Sequence, residues 1–248
     1  MLLEERRQDI IDKTIENGTV YITQLAKDYE VSTETIRKDL NYLAGLGKLT
    51  KIRGGAMTNQ HATEYPYYNR QKENIELKKR IAIKATELIP QNSSIIIGSG
   101  STNVEIAKLL VNRSDLKIFT GSLPVATILM PSANQVFIFG GRLRDLSSSV
   151  YGGWTIKAIK EISADIFFLG SDGFSNTHGP SSPSSSDTMI NQIILKNVDK
   201  TYVVADYTKF DRKSLYTISS WADITALITN KEITDEDRLT IETDIITD

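Results

Sequence analysis

From Ser93 onward the chain repeats a pattern that few folds accommodate. A short apolar run is followed by a turn of Gly, Ser, Thr or Asp, and then by a stretch with helical spacing. Ser94-Ile95-Ile96-Ile97 is apolar at consecutive positions, which suits a strand covered on both faces. Gly98-Ser99-Gly100-Ser101-Thr102 closes it, and a helical stretch runs from Asn103 to Val111. A strand from Leu116 to Phe119 leads to Thr120-Gly121-Ser122 and a helix after Pro124; a strand from Gln135 to Phe139 leads to Gly140-Gly141-Arg142. A helix from Trp154 to Ile162 precedes a strand from Ile166 to Leu169; Thr201 to Val204 leads to Asp206, and Ala226-Leu227-Ile228 is the last clear strand. Strands alternating with helices predict a Rossmann-like, mostly parallel α/β sheet.

In such sheets ligands bind beyond the carboxyl ends of the strands. The sequence places polar donors and acceptors there repeatedly. Gly100-Ser101-Thr102 stands at a helix start, where free amides and the helix dipole favour an anion. Thr120-Gly121-Ser122, Gly141-Arg142, Ser171-Asp172-Gly173 and Asp206-Tyr207-Thr208-Lys209 follow later strands. Lys209 can neutralise a phosphate, and Asp172 or Asp206 can accept from sugar hydroxyls. Any one of these turns alone is ordinary turn chemistry. Together they predict one small-molecule site for a phosphorylated polyol.

The first part of the chain follows a different period. Glu4 to Asn17 reads as a helix with Ile10, Ile11, Thr14 and Ile15 inward, ended by Gly18. Val20-Tyr21-Ile22 is extended. Thr23 is placed to cap a short helix with Leu25, Ala26 and Tyr29 inward. In the next helix Ser32 or Thr33 can serve as cap, and Ile36, Leu40 and Leu43 share one face. Thr33, Thr35, Arg37, Lys38 and Asn41 fall elsewhere, as the side chains that reach phosphates and base edges do. The helix ends near Gly45 or Gly47. Lys48 to Gly55 then alternates cationic and apolar residues, the pattern of a β-hairpin wing. The whole predicts a winged helix-turn-helix that binds double-stranded DNA. The candidate contacts are Ser32, Thr33, Thr35, Arg37, Lys38, Lys51, Arg53, Gly54 and Gly55.

Charge supports that assignment only locally. The 248 residues carry a formal net charge of −2, yet between Arg37 and Arg53 five cations face one acid, Asp39, a net of +4. The chain is long enough for one large or two smaller domains at ~100–200 residues each. Hydrophobic content of 40% and charged content of 24% describe an ordinary globular protein. The absence of cysteine removes disulfides, thiol catalysis and cysteine–zinc sites. His61 and His178 are far apart, so no metal site and no cofactor is expected. The charged start and the lack of a ~20-residue apolar run predict a cytoplasmic protein without a membrane partner.

Between the two parts, residues 58–74 read as a linker. Its Tyr65, Tyr67 and Tyr68 are suited to pack onto a domain or a partner subunit. Ile75 to Ile89 is helical, with Ile75, Lys79, Ala82, Ala85 and Ile89 at helical spacing and Pro90 as its stop. The predicted domains are a winged helix-turn-helix at 1–57, the linker, and a ligand-sensing α/β domain at 75–248.

Arg6, Ile10, Gly18, Leu25, Ala26, Val31-Ser32, the string Thr35 to Leu40, Leu43 and Arg53-Gly54-Gly55-Ala56 resemble the N-terminal signature of the DeoR family of bacterial transcription regulators. Gly100-Ser101-Thr102, Thr120-Gly121-Ser122, Gly140-Gly141, Ser149 with Gly152, Asp172-Gly173, Gly179 and Asp206 with Lys209 look like that family's sensor domain, which is similar in fold to ribose-5-phosphate isomerase. The resemblance covers nearly the whole chain. It implies a repressor of a carbohydrate-metabolism operon, working as a homo-oligomer, a dimer or larger, and controlled by a phosphorylated sugar or polyol. It implies that Ser101, Thr102 and Lys209 hold the phosphate, while Asp172 and Asp206 hold hydroxyls or order the loops. Asn191 stands where many family members have lysine, Gly121 where many have asparagine, and the loop Gly179 to Ser186 is rich in serine. These departures bear on which effector is bound. The rival reading is a sugar-phosphate isomerase carrying a DNA-binding domain. Related isomerases have a glutamate at the position of Asn191, and an amide cannot serve as that base.

Overall fold

The computed structural model describes residues 3–17, 19–46, 48–58, 65–174, 178–212 and 214–248, and the chain divides into two compact units, Met1–Thr63 and Glu64–Asp248. The predicted helix stops Gly18 and Gly47, and His61, lie outside the described residues.

The first unit holds helices Leu3–Asn17, Ile22–Asp28 and Thr33–Gly45 and a three-stranded antiparallel sheet in the order Thr19–Tyr21, Gly55–Thr58, Leu49–Ile52. Its core is Ile10, Leu25, Ala26, Ile36, Leu40 and Leu43, closed by Val20, Leu49 and Ala56 from the sheet. Ile36, Leu40 and Leu43 are the inward stripe that helical spacing required. Ser32 is the cap of the third helix, its side chain accepting from the Thr35 amide at 3.1 Å. Thr23 is not a cap. The second helix already starts at Ile22 behind extended Tyr21, with no side-chain cap. The backbone of the wing serves instead, Gly54 O accepting from Ile22 N at 2.9 Å.

The second unit is built on a seven-stranded sheet. Across it the strands run Asp244–Thr247, Ala226–Thr229, Val198–Val204, Ala164–Gly170, Ser94–Ile97, Lys117–Thr120 and Gln135–Ile138, each neighbouring pair parallel. Consecutive residues of the apolar runs turn to opposite faces. Ile95 and Ile97 join Ile166, Phe168 and Val204 under helices Ile75–Glu87, Ser101–Leu110 and Leu123–Leu129. Ile96 joins Phe167, Leu169 and Val203 under helices Gly153–Lys160 and Ser185–Leu195. Phe167 and Phe168 are both fully buried, each worth about 2–3 kcal/mol of transfer free energy. This two-sided cover is why the strands read as continuous apolar runs rather than alternating ones.

Other differences from the sequence reading have local causes. Residues 65–74, read as linker, belong to the second unit: Tyr67–Arg70 is a short helix and Tyr67 is buried in its core. Their polar composition hides the burial of one ring. The stripe of Ile75–Glu87 is as predicted at Ala82 and Ala85, and at Ile89 just beyond, but differs in the first turns of the helix. Lys78, Ile81, Ala82 and Ala85 are buried, whereas Ile75 and Lys79 are exposed. A lysine at a buried position masks the true stripe. Part of the serine-rich loop is the start of helix Ser185–Leu195, with the Ser184 side chain accepting from Asp187 N. The edge strand Asp244–Thr247 has only two apolar residues and gave no strand signal.

Candidate functional site

Each unit presents one set of candidate residues. In the first, Ser32, Thr33, Arg37 and Lys38 are exposed, and Thr35 is partly exposed. They occupy the start and outer side of helix Thr33–Gly45, away from Ile36 and Leu40. Among the described residues Arg37 is held by an exposed ion pair with Glu34 at 3.3 Å, a weak tether that competing phosphate can replace. Asp39, the one acid in the cationic stretch, points inward and is 1% exposed. Its oxygens accept from Arg6 Nε at 2.8 Å and Arg7 Nε at 2.9 Å. The outer side therefore keeps its cations without that carboxylate.

The wing places Lys51 outward on strand Leu49–Ile52 and Arg53 outward on the two-residue connection to Gly55–Thr58. Gly54 turns the hairpin at φ +86°. Gly55 is buried, and a Cβ there would overlap the Val20 backbone carbonyl. Gly55 was expected among the surface contacts; its place in the structure is the crossing of two strands, where only a hydrogen fits.

In the second unit a cavity opens where the chain order of the sheet reverses, between strands Ser94–Ile97 and Ala164–Gly170. Ser99, Gly100, Ser101, Thr102 and Asn103 line it from the first of these strands, Gly170, Ser171 and Asp172 from the second, and Val204 and Lys209 from the strand Val198–Val204 and its following turn. Gly100 takes φ +131° ahead of helix Ser101–Leu110, a conformation suited to glycine, and the chain turns there into a helix whose first residues, Ser101 and Thr102, line the cavity. Arg70 and Lys78, from the stretch before the sheet, complete a cationic trio with Lys209. Burial pushes the Lys78 ammonium down to about 8, and nearby Asp206 partly offsets this. Burial likewise depresses Lys209, reinforced by the Arg212 guanidinium and opposed by Asp206 and Asp172. A dianion entering here would relieve the repulsion among these cations and favour their charged forms.

Of the residues predicted to share one site, the structure brings together Gly100, Ser101, Thr102, Asp172 and Lys209. Gly121 and Ser149 line an adjacent cavity that shares Ser99, Asp187 and Asn191 with the first. The others are separate. Thr120 Oγ1 donates to Ile97 O and accepts from Ser122 N, and Ser122 caps helix Leu123–Leu129. Gly173 O accepts from Ser171 and Ser181 hydroxyls. Gly141 and Arg142 lead into a hairpin beyond the sheet edge, with Arg142 exposed over the Tyr151 ring. Asp206 is fully buried behind the wall; its Oδ1 accepts from Thr208 N while Oδ2 has no partner among the described residues. It acts on the cavity through charge. The reason for the split is topological: the crevice is centred on the strand ends at the reversal, and ends farther out along the sheet contribute to it less.

Sequence reasoning missed Arg70, Lys78, Asn103 and Asp187. Lys78 left a trace, a cation in phase with Ile81, Ala82 and Ala85. Arg70 was hidden in the presumed linker. Asn103 is fully buried, and its Nδ2 donates to Ser99 O and Phe168 O, tying the loop to the next strand. Asp187 accepts from Arg144 at 3.2 Å.

A winged helix-turn-helix followed by a parallel α/β unit with an anion-suited crevice defines a two-unit DNA-binding transcription regulator. Residues 6–62 match the DeoR-like helix-turn-helix domain and residues 73–231 the DeoR C terminal sensor domain, and the chain belongs to the DeoR family. It is 30% identical over 227 residues to the glycerol-3-phosphate regulon repressor of Escherichia coli strain K12, covering 91% of this chain and 90% of that protein. It is also 30% identical over 244 residues to the lactose phosphotransferase system repressor of Streptococcus mutans, covering 96% of each. Among solved structures, ribose 5-phosphate isomerase A of Methanocaldococcus jannaschii aligns at a TM-score of 0.43 and 20% identity, over 57% of this chain and 56% of that one. Family membership makes the chain a regulator and not an enzyme. None of the described helices is long and apolar enough to cross a membrane.

Proposed function

We propose that this protein represses a carbohydrate operon and that a phosphorylated sugar or polyol, held in the crevice of the second unit, sets its affinity for operator DNA. One observation carries the reading. Three cations, Arg70, Lys78 and Lys209, converge with the start of helix Ser101–Leu110 on a crevice that also offers carboxylates and hydroxyls. The cations and the helix start suit a phosphate; Asp172, Ser171 and Asn191 suit hydroxyls. The relatives named above, repressors of a glycerol-3-phosphate regulon and a lactose phosphotransferase system, agree with such a ligand class.

On the DNA, Ser32, Thr33, Thr35, Arg37 and Lys38 would enter the major groove, and Lys51 and Arg53 would hold phosphates from the wing. The protein would act as a dimer or larger assembly reading half-sites one or more helical turns apart. The ligand can change DNA affinity only through its unequal affinity for the two states of the assembly.

A thermal-shift screen of the full chain against sugar and polyol phosphates, with the unphosphorylated compounds as controls, tests this. A shift confined to phosphorylated compounds, with a matching change in anisotropy of labelled promoter DNA, is the expected result. Equal shifts from both sets, or none from either, overturn it.

A further inference from the structure

The stretch that opens the second unit forms part of the crevice wall. Tyr67 fixes the short helix Tyr67–Arg70 in the core. Arg70 ends that helix and lines the crevice, where its Nη1 donates to Asp172 Oδ1 at 3.2 Å. The two side chains are 14% and 25% exposed. Arg70 Nε is buried and has no partner among the described residues, an unsatisfied donor that a ligand oxygen would relieve. Lys78 donates to Arg70 O at 2.6 Å and also to Glu73 O. Asn74, left-handed at φ +50°, reaches Thr208 Oγ1 at 3.3 Å. Arg70 and Glu73 are thus fastened by groups that an anion in the crevice would engage, and Asn74 by the turn that carries Lys209.

We propose that the Arg70–Asp172 pair is a latch that an anionic ligand opens. The ligand takes Arg70 through Nε and one Nη, the fork that matches two oxygens of a phosphate. Asp172 loses its partner and turns to ligand hydroxyls. Lys78, drawn to the same anion, relaxes its hold on the carbonyls of Arg70 and Glu73. Residues 70–74 loosen, and they lie in the only covalent path between the sensor sheet and the DNA-binding unit. The latch rests on the anion-site reading above and adds the route by which occupancy is passed on.

Hydrogen exchange of the full chain tests it, with inorganic phosphate as probe against chloride at equal ionic strength. Binding is read separately by thermal shift. Amides of residues 70–74 are expected to exchange about fivefold faster with phosphate bound, as loss of one partly buried ion pair implies. Asp172→Asn should show that faster exchange without phosphate. Arg70→Lys, which keeps the charge and loses the fork, should still be stabilised by phosphate while its exchange no longer responds. A phosphate-induced thermal shift with unchanged exchange at 70–74 overturns the latch and leaves the anion site standing. So does an Asp172→Asn variant that exchanges like the parent, or an Arg70→Lys variant that responds in full. No thermal shift with phosphate removes the anion site and the latch with it.

Discussion

Asp39 lies on the inner side of the helix whose outer side carries Arg37 and Lys38, and Arg6 Nε meets its Oδ2 at 2.8 Å. Arg7 takes the other oxygen, and its guanidinium also lies over the Tyr42 ring at 3.8 Å. The first helix is thereby bonded to the third through a carboxylate that water does not reach.

Removing that carboxylate should unfold the first unit before it affects DNA contacts. Asp39→Ala leaves two arginines facing a buried, uncompensated site, and a loss of about 3–5 kcal/mol is expected. Thermal unfolding followed by circular dichroism should show an early transition in this variant. A melting curve superimposable on the parent would refute the structural role given to the pair.

Arg37 and Lys38 should behave oppositely. Each is exposed, so Arg37→Ala and Lys38→Ala are expected to leave the melting temperature within error. DNA affinity should fall by roughly tenfold for each, and the slope of log affinity against log salt should become shallower by about 1 if the lost contact is to phosphate. Anisotropy titrations at several salt concentrations measure both. Unchanged affinity would place the DNA face elsewhere.

Lys209→Ala removes one member of the cationic trio without touching the first unit. Response to sugar phosphates should be lost while ligand-free DNA binding persists. A full response in this variant would exclude Lys209 from the anion site.

Lys78 gives the crevice a pH dependence. Its ordinary value is 10.5 and burial pushes it to about 8, so over that interval the unfolded chain binds more protons than the folded one. Stability contributed by this group therefore increases as pH rises from about 8 toward 10.5, and the increase is absent below that window. Anion affinity should move the other way, weakening as the ammonium loses its proton. Chemical denaturation and phosphate titration across this range check the two signs, and Lys78→Met should flatten both profiles.

The sequence by itself determined the order of the main elements, though not the edge strand Asp244–Thr247 or the short helix Tyr67–Arg70. Apolar runs such as Ile95-Ile96-Ile97, bounded by turn residues, suit strands covered on both faces, and the stripe Ile36, Leu40, Leu43 suits a helix side facing a core. It also marked Ser101, Thr102 and Lys209, because their turns adjoin strand ends. Tertiary structure decided which strand ends share a crevice. That choice depends on the reversal of strand order between Ser94–Ile97 and Ala164–Gly170, which joins residues about seventy positions apart and leaves Thr120 and Arg142 outside. It decided as well that Asp39 faces inward and that Arg70 and Lys78 belong to the crevice wall. Apart from the helical phase that Lys78 shares with Ile81, Ala82 and Ala85, no local pattern records such facts, because the cost of burying a charge is set by the partners that packing brings to it.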